Sequence, residues 1–152
     1  MDFEARLAEL NLSIPSPPAP GGLYVPAVRT GNLLYLAGVI CVADGQMTHT
    51  GKVGETQTVE AGQDAARVCA LNALASIHGE LGSLNAVQRF VFTSGYVNAV
   101  AGFADSPLVI NGASQLFLDV FGEAGRHARA AVAVAGLPKD STVEIQCVVE
   151  VA

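Results

Sequence analysis

The amino-acid sequence predicts a two-layer α+β sandwich, a sheet with two helices packed on one face. Three observations point there. The chain has 152 residues, the size of one domain with a real core. Two stretches carry apolar residues at helical spacing, and the remaining apolar stretches are short and alternate with period two. The resulting order is strands, helix, strand, helix, two strands, which places both helices against one sheet.

The elements follow in chain order. Residues 2–10 read as a short helix: Phe3, Leu7 and Leu10 share a face, and Asp2 and Glu4 suit the positive end of its dipole. "SIPSPPAPGG" ends it as an extended connector with four prolines and two glycines, so residues 1–20 form an N-terminal helix and Pro-rich extension of a single domain spanning 1–152. "LYVPAVRTGNLLYLAGVICV" reads as two strands around a turn at Thr30-Gly31-Asn32, with Pro26 at a strand start or edge. "ADGQMTHTGKVGE" is a polar loop. Residues 58–81 form the longest helix, with Ala66, Ala70, Leu74, Ile77 and Leu81 on one face and Gly82 as its stop. "VQRFVFTSGYV" is a strand whose Phe90, Phe92 and Tyr96 are expected on one face. Residues 114–121 carry the second helix, which starts several residues earlier and ends at Gly122 and Gly125.

The last two strands flank "LPKDS". In the first, Val132 and Val134 alternate with Arg129, Ala131, Ala133 and Ala135; in the second, Val143, Ile145, Cys147, Val149 and Val151 alternate with Glu144, Gln146 and Glu150. The helices are expected on the Val and Ile face. The opposite face then carries alanines, Arg129 and Glu144, with no helix left to cover it, and a second subunit is the economical cover.

Composition narrows the function. Only 14% of residues are charged while 51% are hydrophobic, which suits a chain burying surface between subunits or one rich in Ala and Gly. The net charge of -6, with eight Lys and Arg scattered along the chain, argues against nucleic acid. No apolar run is long enough to span a membrane, and the acidic, amphipathic N-terminus is unlike a signal peptide. Three cysteines at unrelated spacings form neither a disulfide framework nor a zinc site; they are expected as small buried hydrophobes in a reducing cytoplasm. His49, His78 and His127 have no partners at metal spacing, so no metal or cofactor is expected.

Charged residues on apolar strands need an answering group. Arg129, beside alanines, has room in front of it, and its planar fork suits a carboxylate. A tight hairpin would place Arg129 and Glu144 at opposite ends of their pair, so one site using both needs an intervening strand or two subunits. His127 alternates onto the Arg129 face and is read as a strand-start surface residue.

These residues carry a resemblance. "HARAAVAVAGLPKDSTVEIQ" resembles the C-terminal motif of the YjgF/RidA family of reactive intermediate deaminases: an Arg on a Val/Ala-rich strand, Leu-Pro-Lys, then a hydrophobic-Glu-hydrophobic strand. "YVPAVRTGNLLYLAG" is similar to the family's N-terminal strand pair, and "FGEAGRHAR" with the Pro-rich extension looks like a divergent branch often labelled endoribonuclease L-PSP. The resemblance implies a chorismate-mutase-like fold with a mixed sheet, a homotrimer with interface sites, and hydrolysis of enamines or imines such as 2-aminoacrylate. It implies Arg129 as the substrate-carboxylate ligand and Glu144 as the group that handles water. Tyr24, Gly38, the main-chain N–H of Ala131 and Ser114, near the family's asparagine, would bind substrate. Ala37 stands where the family pattern has serine, which favours non-catalytic carboxylate binding as the competing reading; a ribonuclease is the third, disfavoured by charge.

Overall fold

The computed structural model describes residues 1–152. Helix α1 (Phe3–Glu9) is followed by strands β1 (Ala27–Thr30), β2 (Leu33–Leu36), β3 (Val39–Ile40), β4 (Val42–Ala43) and β5 (Gln46–Met47). Helix α2 (Val59–Leu81), strand β6 (Val87–Asn98), helix α3 (Ser106–Phe121) and strands β7 (Ala128–Val134) and β8 (Val143–Val151) complete the chain. No helix is long and apolar enough to cross a membrane.

The main sheet runs β1-β2-β8-β6-β7, with β3 continuing β2 along β8. All pairs are antiparallel except β6 with β7, which makes the sheet mixed, as expected. The last two strands are not a hairpin: β6 lies between them. The chain leaves β7 through "LPKDS", where Lys139 and Asp140 both adopt positive φ, and re-enters the sheet two positions away.

Helices α2 and α3 cover one face. Thr58 caps α2 by accepting from the Ala61 N–H, and Gly82 closes it in the left-handed region at φ 77°. The two helices approach closely because one contact is a glycine. A Cβ on Gly112 of α3 would sit 2.1 Å from the Gln63 carbonyl oxygen of α2. Below α3, a Cβ on Gly95 of β6 would lie 2.5 Å from Ile110. Phe90 stacks on Phe117 at 4.3 Å, Phe121 meets Phe90 at 5.0 Å, and Phe3 meets Phe121 at 4.7 Å, so the aromatic core joins β6, α3 and α1. Helix α1 is fixed further by Asp2, which caps it, and by Arg6, whose Nε–H donates to the Asp119 carbonyl at 3.0 Å.

Two sequence expectations about faces are corrected. The register of β6 against β8 shifts between Phe90 and Phe92, a bulge that turns Phe90 into the core and Phe92 out of it. Phe90 therefore does not share a face with Phe92 and Tyr96. On β7 the helix side receives Arg129 and Ala131, while Val132 is 48% exposed on the other. The physical reason is the close approach of α3. Small groups, Gly95 and Ala131, admit Ile110, whereas a Val132 on that side would hold the helix away.

Gly112→Ala should expose how much rests on this approach. A methyl group driven against backbone costs about 1–3 kcal/mol, roughly 3–10 °C in melting temperature for a chain of this size. Calorimetry of the variant checks it, and an unchanged transition would mean that the helices do not touch there.

Candidate functional site

Arg129 and Glu144 occupy opposite faces of the sheet. Cross-strand partners form rows, and Arg129 stands in a row with Thr93 and Cys147 on the helix side. Glu144 stands in a row with Ile40, Tyr96 and Val132 on the open side. The expectation that the two residues share a face is overturned, for the reason given by α3 above. Within one chain they cannot converge on one ligand.

On the helix side, the Arg129 guanidinium lies against α3. Nη1 donates to Asn111 Oδ1 at 2.9 Å and to Ser114 Oγ at 3.0 Å, and Nη2 donates to the Pro107 carbonyl at 3.1 Å. No carboxylate forms an ion pair with it, although Arg6, Arg89 and Arg126 each have one. Ser114 also meets His127 Nε2 at 2.9 Å, and His127 Nδ1 lies 2.7 Å from the Gly125 carbonyl. His127 is half-buried beside Phe117, so it is not the surface residue the sequence suggested. Burial, reinforced by the charge of Arg129, holds His127 below the usual histidine range. Ala131 follows two residues along the same face of β7 and packs partly buried against the core. Asn111 was missed in the sequence. Its signal was the spacing to Ser114: three residues apart, the two share a helix face only once the helix is known to begin well before residue 111.

On the open side, a cleft of about 470 Å³ is lined by Tyr24, Val25, Val28, Tyr35, Leu36, Ala37, Gly38, Pro138 and Glu144. It therefore unites three of the expected residues, Tyr24, Gly38 and Glu144. Its floor comes from a second bulge. Tyr35 pairs with Val148 but Val39 pairs with Ile145, so one extra residue is accommodated over 36–38. Gly38 consequently lies on the Glu144 side chain, and a Cβ there would fall 2.5 Å from Glu144 Oε2. Tyr24 is anchored where its hydroxyl accepts from the Gly21 N–H at 2.8 Å. Burial raises the Glu144 carboxyl above the ordinary carboxylate range, which makes it a better proton acceptor than an exposed glutamate.

All three cysteines are free and buried; burial pushes the Cys147 thiol up to about 12, so it is no nucleophile at neutral pH. No group of three or more His, Cys, Asp or Glu side chains is placed to hold a metal ion.

A raised carboxyl pKa means the folded chain holds this proton more tightly than the unfolded chain, so ionising Glu144 costs stability as pH rises. Glu144→Gln should therefore melt no lower than the parent at pH 7. Its advantage should grow from pH 4 upward and level off above the folded-state pKa. Thermal unfolding across that range checks it; an advantage that shrinks with pH would contradict the burial of this carboxyl.

Known proteins share the whole of this architecture. A protein of Trypanosoma cruzi called TCP17 is 42% identical over 147 residues, covering 96% of this chain and 92% of its own. A crystal structure of a protein of unknown function from Agrobacterium tumefaciens is 43% identical, with a TM-score of 0.90 over 98% of this chain and 91% of that one. A "putative endoribonuclease" from Shewanella oneidensis is 30% identical, with a TM-score of 0.95 over 99% of this chain and 100% of that one. The family described as "YjgF/chorismate mutase-like, putative endoribonuclease" matches residues 4–151, and with that span and these relatives the chain belongs to it.

Proposed function

We propose that the chain hydrolyses enamine and imine intermediates such as 2-aminoacrylate to 2-oxo acids and ammonia. The sites lie between subunits of a homotrimer, where Arg129 of one subunit meets the Tyr24, Gly38 and Glu144 cleft of its neighbour. The observation that carries this reading is Arg129 itself. It is a guanidinium held by three acceptors of α3 with no protein carboxylate, so a ligand carboxylate is the partner its position calls for. A fold relative, TdcF of E. coli, 24% identical with a TM-score of 0.61, has been solved with bound serine, an amino acid with such a carboxylate.

Assembly is supported by the open face. Val28 (56%), Tyr35 (45%), Phe92 (37%) and Val132 (48%) are exposed there, an apolar surface that a lone chain would leave in water. Two half-sites on opposite faces also require two chains to make one site.

The chemistry needs no group beyond these. A proton from solvent at carbon 3 turns 2-aminoacrylate into the iminium. The Arg129 fork holds its carboxylate, which fixes carbon 2 against the Glu144 cleft. Water oxygen bonds to carbon 2, the C=N π electrons pass to nitrogen, and Glu144 takes the water's proton. Glu144 passes that proton to nitrogen and then takes the hydroxyl proton as the oxygen forms the C=O bond; the C–N bond breaks with its electron pair, ammonia leaves, and the proton returns to solvent.

Ala37, in place of the serine of the family pattern, favours one competing reading, in which the site binds a carboxylate without turning it over. An endoribonuclease is disfavoured by charge. Eight Lys and Arg stand against fourteen Asp and Glu, and Arg6, Arg89 and Arg126 are paired with acidic neighbours, a balance that disfavours a phosphate backbone.

The deciding experiment couples the protein to a dehydratase that generates 2-aminoacrylate. Wild type should accelerate 2-oxo acid release. Arg129→Ala should abolish this with its melting temperature close to wild type, and Glu144→Gln should slow it on the order of 100-fold while pyruvate still binds. Pyruvate binding by wild type without any acceleration would establish the non-catalytic reading. Sedimentation equilibrium at micromolar protein should give the mass of three chains; a monomer mass would exclude the shared site.

A further inference from the structure

The Arg129 guanidinium has five N–H groups, and three are committed to α3: both on Nη1, to Asn111 and Ser114, and one on Nη2, to Pro107. The two left over are the Nε–H and the second Nη2–H. Nε makes no bond within the chain, and it shares one edge of the planar fork with Nη2, at the spacing of two carboxylate oxygens. The α3 contacts thus decide which edge of the arginine is offered.

The Ser114 contact has its own direction. The Gly125 carbonyl can only accept, so the hydrogen between it and His127, at 2.7 Å, belongs to Nδ1. In a neutral ring Nε2 then carries the lone pair, and it accepts the Ser114 hydroxyl hydrogen at 2.9 Å. That leaves the Ser114 oxygen turned as an acceptor toward Arg129 Nη1 at 3.0 Å. The chain of donors runs from Arg129 to Ser114 to His127, with the ring orientation set by Gly125. The ring also packs T-shaped with Phe117 at 5.7 Å and tilted against Phe90 at 6.5 Å. Of the groups facing it from α3, β6, the turn at Gly125 and β7, only Arg129 is charged.

We propose that His127 is a positioning residue of the carboxylate site, acting as the neutral Nδ1–H tautomer to hold Ser114 and, through Ser114, the edge of Arg129 presented to the ligand. This rests on reading Arg129 as a carboxylate ligand.

The test uses pyruvate as the probe, with calorimetry for affinity and nitrogen-15 spectra of labelled histidine for the tautomer. Wild type should show the Nδ1–H tautomer, both free and with pyruvate bound. His127→Phe keeps the packing against Phe117 but removes the acceptor, and should bind pyruvate roughly tenfold more weakly. His127→Gln places an amide oxygen near the Nε2 position and should recover affinity to within about threefold of wild type. An Nε2–H tautomer, or full affinity in His127→Phe, overturns the proposal while leaving Arg129 in its role. If Arg129→Ala binds pyruvate as wild type does, or neither binds it, the reading of Arg129 fails and this proposal falls with it. Should His127→Phe not fold, the tautomer and His127→Gln still decide.

Discussion

The seating of α3 is the constraint on which the rest of the molecule depends. Gly112 lets the helix rest on the backbone of α2, and Gly95 lets Ile110 sink into the sheet. Phe117 and Phe121 on the same helix complete the aromatic cluster with Phe90 and Phe3. The exposed edge of that helix carries Pro107, Asn111 and Ser114, all bonded to Arg129. A helix held so tightly delivers those acceptors to fixed places, and dense packing makes that position resistant to small shifts. The position of the guanidinium is thus a by-product of core packing.

Much of this was legible in the sequence. The order of the long elements, the length of α2 up to its stop at Gly82, and the sheet with two helices on one face follow from periodicity and capping, whereas the short β4-β5 pair lies partly in a stretch read as a polar loop. Residues with strong local signatures, such as the turn at Gly31, sit where the sequence reading puts them. What was not legible depends on tertiary contact. The bulge at Phe92 inverts the pattern of half a strand with no marker residue to announce it. Which face of β7 the helices choose turns on how close α3 can come, and that is set by Gly95 on a different strand. The grouping of Asn111, Ser114 and His127 around Arg129 joins two elements across a turn, so no linear spacing reveals it.

The open cleft shows the complementary logic. Glu144 lies on a strand buried on its other face, and its environment is completed by the bulge that places Gly38 against it. A side chain at that position would collide with the carboxylate, so the cleft and the raised carboxyl pKa share one cause, the backbone pressed onto Glu144. Each face of the sheet therefore carries one prepared group, an arginine held by acceptors and a carboxylate held by crowding. Neither has its counter-charge within the chain.

Strand β7 ends the sheet. Its sequence, Ala-Arg-Ala-Ala-Val-Ala-Val, has no lysine or proline, and its pairing with β6 shows no bulge. Proteins usually guard such margins with those devices, because an unguarded margin offers free N–H and C=O groups to any strand that arrives. The single charge along β7 is Arg129, and it is folded back onto α3, where it guards nothing. Solubility of the chain therefore depends on how much of this margin meets water. A margin of this kind invites strand pairing between chains, an association that needs no melting of the core.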